Sequence, residues 1–228
     1  CAMPETPPAN YLDATRGYGT EIALMPDISP ALAEAERLRE RGRVLIHPFD
    51  DPRVAAGQGT IGLEILDDLP GVTRVYVSIG GGALIAGIAT ALKAVKPEVR
   101  VHGVQTVGAD AMAQSLKADE LVTLPAITSI ARTLGAPRVC DFTLDLTRRL
   151  VDDVTVVGAA ETAEALFFLL ERTKQLVEPA ASCCLAAAAQ HKDRFTPDDR
   201  IVLLMCGGNV SVDSLCSFHG LREQAHPG

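Results

Sequence analysis

Gly80, Gly81 and Gly82 stand between a β-rich run, RVYVSI, and a helix-like run, ALIAGIATALKAV. Glycines at such a joint let the backbone approach an anion, and the helix adds the positive end of its dipole. Phosphate binding is the chemistry on offer; a plain tight turn would use the same residues. A nucleotide fits poorly. No G-K-S/T ending follows, and in a G-x-G-x-x-G count from Gly80 and Gly82 the last place is Ile85. The next apolar run ends in Gln105-Thr106, with no acid for a ribose.

Other residues invite chemistry more weakly. LLMCGGN (Leu203–Asn209) puts Cys206 and two glycines at the end of an apolar run. Ligands of parallel α/β sheets gather at carboxyl strand ends, so Cys206 is either a core thiol or a weak polar group facing a ligand ring. LVEPAAS sets Glu178 before Pro179, as a first-turn acid favoured by the helix dipole or as a pocket carboxyl. HPFDDPRVAAGQGTIGLE holds His47, Phe49, Asp50, Asp51, Gln58 and Glu64. Their spacing matches no zinc motif, and Asp50 and Asp51 read as helix caps. No G-x-S-x-G and no Ser/His/Asp arrangement stands out.

The elements that must position these residues alternate along the chain. EIALM (Glu21–Met25) reads as a strand, then SPALAEAERLRERG as a helix capped by Ser29 with Pro30 in its first turn and Gly42 at its stop. RVLIHP (Arg43–Pro48) reads as a strand and DPRVAAGQGTIGLEILDDLPG as a helix ended by Pro70-Gly71. RVYVSI, RVHGVQT, TVVG and RIVLLMCGGN follow as strands. Between and around them come helices in ALIAGIATALKAV, DAMAQSLKADE, DFTLDLTRRL, AAETAEALFFLLERTKQLV and PAASCCLAAAAQ. Continuous apolar strands between helices imply an α/β fold of mostly parallel sheets flanked by helices. The seam is expected near His47–Asp51, with residues 1–48 a small, partial α/β domain and 49–228 a large one.

Bulk composition narrows the function. The 228 residues are 47% hydrophobic and 22% charged, ordinary for a protein with a sizeable core. A net charge of -8, no Lys/Arg-rich run and 4% aromatics argue against nucleic acid. The longest apolar run, Ile79 to Leu92, is short for a membrane span, and the N-terminus does not read as a signal peptide. Six cysteines without C-x-x-C suit a reduced, cytoplasmic protein. CAMPE, starting at Cys1, reads as the end of a strand, so the sequence is expected to begin inside a longer protein.

Taken together, HPFDDPRVAAGQGTIGLEIL, VSIGGGALIAGIATALKAVKPEVRVHGVQ, ERTKQLVEPAAS and LLMCGGNV resemble, in that order, the threonine/serine dehydratases. These are fold-type II (tryptophan synthase β-like) enzymes that use pyridoxal 5′-phosphate. ATRGYGTEIAL also resembles the family's small-domain segment, and the likeness runs from about Met3 to Val212. It implies that Gly80, Gly81, Gly82, Ala83 and Leu84 hold the cofactor phosphate; many members have a fourth glycine at Ala83. It places Cys206, with Gly207, against the pyridine nitrogen, and Phe49 and Glu178 on the substrate side of the ring. It implies deaminating dehydration of L-threonine or L-serine to a 2-oxoacid and ammonia, by a homo-oligomer without membrane or nucleic-acid partners.

The family's Schiff-base lysine lies in an S-F-K-x-R-G-A stretch, and an S-S-G-N-H-A-Q loop grips the substrate carboxylate. Neither is in this chain. Lys93, Lys96, Lys117, Lys174 and Lys192 match neither, so the catalytic residue is unknown, and the chain alone is expected to be inactive. Some members bind Mg²⁺ or Ca²⁺ through a Glu after the strand where Gln105 stands, so no metal is expected. Two other readings remain: a racemase or dehydratase of a related β-hydroxy amino acid, and a non-catalytic remnant binding a phosphorylated ligand or partner.

Overall fold

The computed structural model describes residues 1–5 and 9–225. They divide into two compact units, Cys1–His47 and Pro48–Gly228. In the first unit, β1 (Ala2–Pro4) and β2 (Ala23–Met25) pair in parallel, with Met3 opposite Leu24. Helices α1 (Ala9–Gly17) and α2 (Ile28–Glu40) accompany them. Asp27, not Ser29, caps α2: its carboxylate accepts from the Ile28 amide at 2.6 Å. Gly42 follows the helix at φ +92°, a left-handed stop that glycine takes without strain. The strand expected at Arg43–Pro48 is not formed. Val44 and Ile46 are exposed and no described strand pairs with them, so the β-propensity of the segment has no ladder to satisfy.

The second unit is a parallel sheet in the order β5-β4-β3-β6. Its strands are β3 (Arg74–Ser78), β4 (Arg100–Thr106), β5 (Asp153–Val157) and β6 (Ile201–Leu203). Alternation along a strand sends successive side chains to opposite faces. Val75, Val77 and Val101 join the core that includes Ile85, Ile88 and Leu92 of α4 (Ala83–Val95), with Ile61 and Ile65 of α3 (Pro52–Asp68) packed against it. Tyr76 and Val104 face the other way, toward Ala180, Cys183, Cys184 and Ala187 of α8 (Pro179–Gln190). The sheet is therefore covered on both faces, as its apolar strands require.

Three further helices, α5 (Ala111–Ala118), α6 (Asp141–Leu150) and α7 (Ala159–Thr173), complete the crossovers. The last expected strand is ladder-paired over only three residues, because Leu204 makes one more bond, to Tyr76 O, and the chain then turns out as a loop. Helix α9 (Val212–Ala225), not anticipated, is fastened to α7. There Arg222 meets Glu164 at 2.9 Å and Glu171 at 2.7 Å, over the ring of Phe167.

Candidate functional site

The glycine loop leaves the carboxyl end of β3 and enters α4 directly. Gly82 is the N-cap at φ +102°, where an L side chain is strained, and no side chain caps the helix. The first amides of a helix lack intrahelical acceptors, so the Ala83 end of α4 presents uncapped N–H groups together with the dipole.

Each glycine is held by a close neighbour. A Cβ on Gly80 would lie 3.3 Å from Leu134 Cα, one on Gly81 2.0 Å from Phe49 Cγ, and one on Gly82 2.7 Å from Thr143 Cβ. Thr143 Oγ1 also donates to Gly81 O at 2.8 Å. The loop is thus a cradle that three missing side chains make possible. Gln105, fully buried at the end of β4, braces it: its amide donates to Ile79 O at 3.1 Å and accepts from Ala113 N at 2.8 Å. Both ends of Gln105 are committed to backbone, so it is a structural brace.

The other candidates reach the same strand ends through a chain of contacts. Ser78, the last residue of β3, lies 3.4 Å from Cys206 Sγ through its hydroxyl. Although Cys206 is exposed to solvent, desolvation by the protein around it raises the pKa of its thiol, which keeps it neutral near neutral pH. Glu178 N donates to Gly207 O at 3.1 Å, and a Cβ on Gly207 would stand 2.6 Å from Glu178 Oε1. Glu178 is 8% exposed; burial raises its pKa, and a 3.0 Å bond from Thr133 Oγ1 opposes the rise. Thr133 and Leu134 belong to one short turn, so a single segment touches both the glycine loop and Glu178.

Asp51 caps α3 by accepting from Arg53 N at 2.8 Å. Asp50 instead meets the thiol of Cys140, whose pKa is raised first by burial. The lysines are engaged elsewhere or face solvent. Lys93 pairs with Asp152 at 2.9 Å, Lys96 donates to Pro70 O and Val72 O, Lys174 reaches Glu171 O, and Lys117 and Lys192 are exposed. Thr133, Leu134, Thr143 and the bracing role of Gln105 were not legible in sequence. No motif marks a threonine that will meet a loop 62 residues away, as Thr143 meets Gly81.

An uncapped helix start behind a glycine cradle, at the carboxyl ends of a parallel sheet and beside a neutral thiol, is an arrangement in an α/β protein that suits a small phosphorylated group. Residues 1–207 match the family described as pyridoxal-phosphate dependent enzyme. The chain belongs to that family, whose cofactor is the phosphorylated group the cradle suits.

An L-threonine ammonia-lyase of Geobacter sulfurreducens is 43% identical over 216 residues, covering 93% of this chain and 53% of its own length. The catabolic L-threonine dehydratase of Escherichia coli K12 is 37% identical over 224 residues, covering 97% of this chain and 68% of its own. The solved structure of maize serine racemase superposes with a TM-score of 0.87 at 33% identity, covering 99% of this chain and 70% of its own. The chain therefore spans about half the length of the first of these relatives.

Proposed function

We propose that this chain carries the cofactor-holding part of a pyridoxal-phosphate enzyme for the deaminating dehydration of L-threonine and L-serine to a 2-oxoacid and ammonia. The observation that carries the reading is the convergence of the glycine cradle, Cys206 and Glu178 at the carboxyl ends of β3 and β6. The relatives named for threonine support the substrate class.

In this reading the amides of Gly80, Gly81, Gly82, Ala83 and Leu84 hold the phosphate through hydrogen bonds and the α4 dipole. Cys206, a thiol that desolvation keeps neutral, would face the ring nitrogen without delivering a charge to it, with Gly207 alongside. Phe49, packed on Gly81, and Glu178 line the substrate side. When bound, pyridoxal phosphate supplies an electron sink for the charge left as the substrate loses its Cα proton. No lysine of this chain is assigned to that proton. The amino-acid substrate, a homo-oligomer and a cytoplasmic location are parts of the same proposal.

The test expresses the gene's full reading frame with pyridoxal phosphate and supplies L-threonine. The expected result is a cofactor absorbance band together with 2-oxobutanoate and ammonia. Bound cofactor without oxoacid overturns the activity, and no bound cofactor overturns the site. The likeness to maize serine racemase supports a second reading, a racemase. D-serine formed from L-serine in excess of pyruvate would favour it.

A further inference from the structure

The amino-terminal side of the sheet holds a second group of chemically active side chains. Parallel register places Tyr76 opposite His102, and His102 opposite Asp153, in one row across β3, β4 and β5. Helix α8 starts at Glu178 beside the cofactor loops and runs back along the sheet, so its C-cap, His191, arrives over this row. His102, Asp153 and His191 each offer one ligand atom, and these atoms lie within 4.8 Å of one another.

The surroundings suit a cation. His102 is 4% exposed, and its Nε2 is buried without a hydrogen-bond partner, while Nδ1 meets Asp153 Oδ1 at 2.8 Å. Orphaned buried nitrogens are uncommon and call for a partner such as a water or an ion. The ring is held flat against Tyr76, with centroids 4.6 Å apart. His191 Nδ1 lies 3.0 Å from the Tyr76 hydroxyl and Nε2 3.2 Å from Thr155 Oγ1. With Nδ1–H donating to Tyr76, the Nε2 lone pair accepts from Thr155 Oγ1, which a bound metal would displace, and the ring keeps its orientation, the arrangement by which outer partners aim histidine ligands. Arg194 is a loose neighbour, 3.8 Å from Asp153 and 64% exposed, so it can leave for solvent.

We propose that His102, Asp153 and His191 form a binding site for a divalent transition-metal ion of the zinc type, separate from the cofactor site. Two imidazoles and one carboxylate select zinc and its neighbours, whereas magnesium and calcium prefer all-oxygen sets. Ligand atoms around a tetrahedral zinc lie about 3.4 Å apart, given bonds of about 2.0–2.1 Å. The three groups therefore need to close by up to about 1.4 Å, within reach of a C-cap residue and a strand-end aspartate. The expectation of no metal rested on Gln105 and on zinc-motif spacing. These ligands sit far apart in sequence, on β4, β5 and α8, where no spacing motif can reveal them.

The experiment strips the full chain with a chelator and titrates zinc alone against a competing chromophoric chelator, with cobalt as a spectroscopic substitute. A single zinc should bind, raise the melting temperature and resist competition by excess magnesium. Asp153→Asn and His191→Gln should each weaken zinc by more than about 100-fold, and Tyr76→Phe by about 10–100-fold, as loss of an outer partner does. Asp153 is partly exposed, so that variant decides the matter if His191→Gln does not fold. No zinc retention by the parent, unchanged affinity in Asp153→Asn, or thiolate-to-cobalt bands that move the metal to cysteines would each overturn the site. Pyridoxal phosphate binding plays no part in the readout.

Discussion

Two glycines in the helix pair α3/α4 should respond oppositely to the same substitution. Gly87 of α4 lies where the helices cross. A Cβ there would stand 2.0 Å from Ala55 O and 2.8 Å from Gly59 N. Both are α3 backbone atoms, so no rotamer change relieves the overlap, and the helices must part by more than about 1 Å to reach ordinary contact. Gly87→Ala gains about 1 kcal/mol of helix propensity. Overpacking of a tight core costs about 1–3 kcal/mol and occasionally more, and a rigid backbone clash belongs at the high end.

The net expectation for Gly87→Ala is a loss of about 2 kcal/mol, or a melting temperature lower by about 4–8 °C for a chain of this size. Gly57, within α3, has nothing within 4 Å of its would-be Cβ and no positive φ. Gly57→Ala should therefore stabilise by about 0.4–1 kcal/mol. Thermal unfolding followed by circular dichroism measures both. If the two variants shift in the same direction, or Gly87→Ala melts with the parent, the crossing is not held by close backbone approach and the reasoning fails.

Other outcomes follow from the same geometry. Gly82→Ala, forced to φ +102° and against Thr143 and Met112, should lose about 2–4 kcal/mol from backbone strain and overlap, with weaker pyridoxal phosphate binding read by cofactor absorbance. Gln105→Glu replaces the donor to Ile79 O with an acceptor in a fully buried place, and should cost about 1–3 kcal/mol or more in denaturant titration. Burial raises the Glu178 pKa above its unfolded value, so this residue favours folding while protonated and the benefit fades as pH rises from the ordinary carboxylate range through the folded pKa. Glu178→Gln should hence match the parent's melting temperature in acid and exceed it near neutral pH; parallel profiles would contradict this.

Much was readable along the chain because the information was local. The bounds of α4 and β4 coincide with ALIAGIATALKAV and RVHGVQT, since an apolar period and a glycine or proline break are properties of neighbouring residues. The cradle at Gly80–Gly82 was legible for the same reason. Errors fell where a partner decides. RVLIHP has strand residues but no described strand beside it. RIVLLMCGGN has strand residues, yet its ladder stops after Leu203. Ser29 lost the cap of α2 to Asp27, two candidates that sequence preference barely separates.

By itself the sequence determined a parallel α/β fold, a glycine loop at a helix start, and the family resemblance. Only the tertiary structure joined Thr143 to Gly81, Thr133 to Glu178 and Ser78 to Cys206, or set His102, Asp153 and His191 side by side. The physical reason is that strand register and helix direction bring together residues with no local relation. In a sheet whose rows cross four strands, the chemistry of a row belongs to the pairing and not to any one segment.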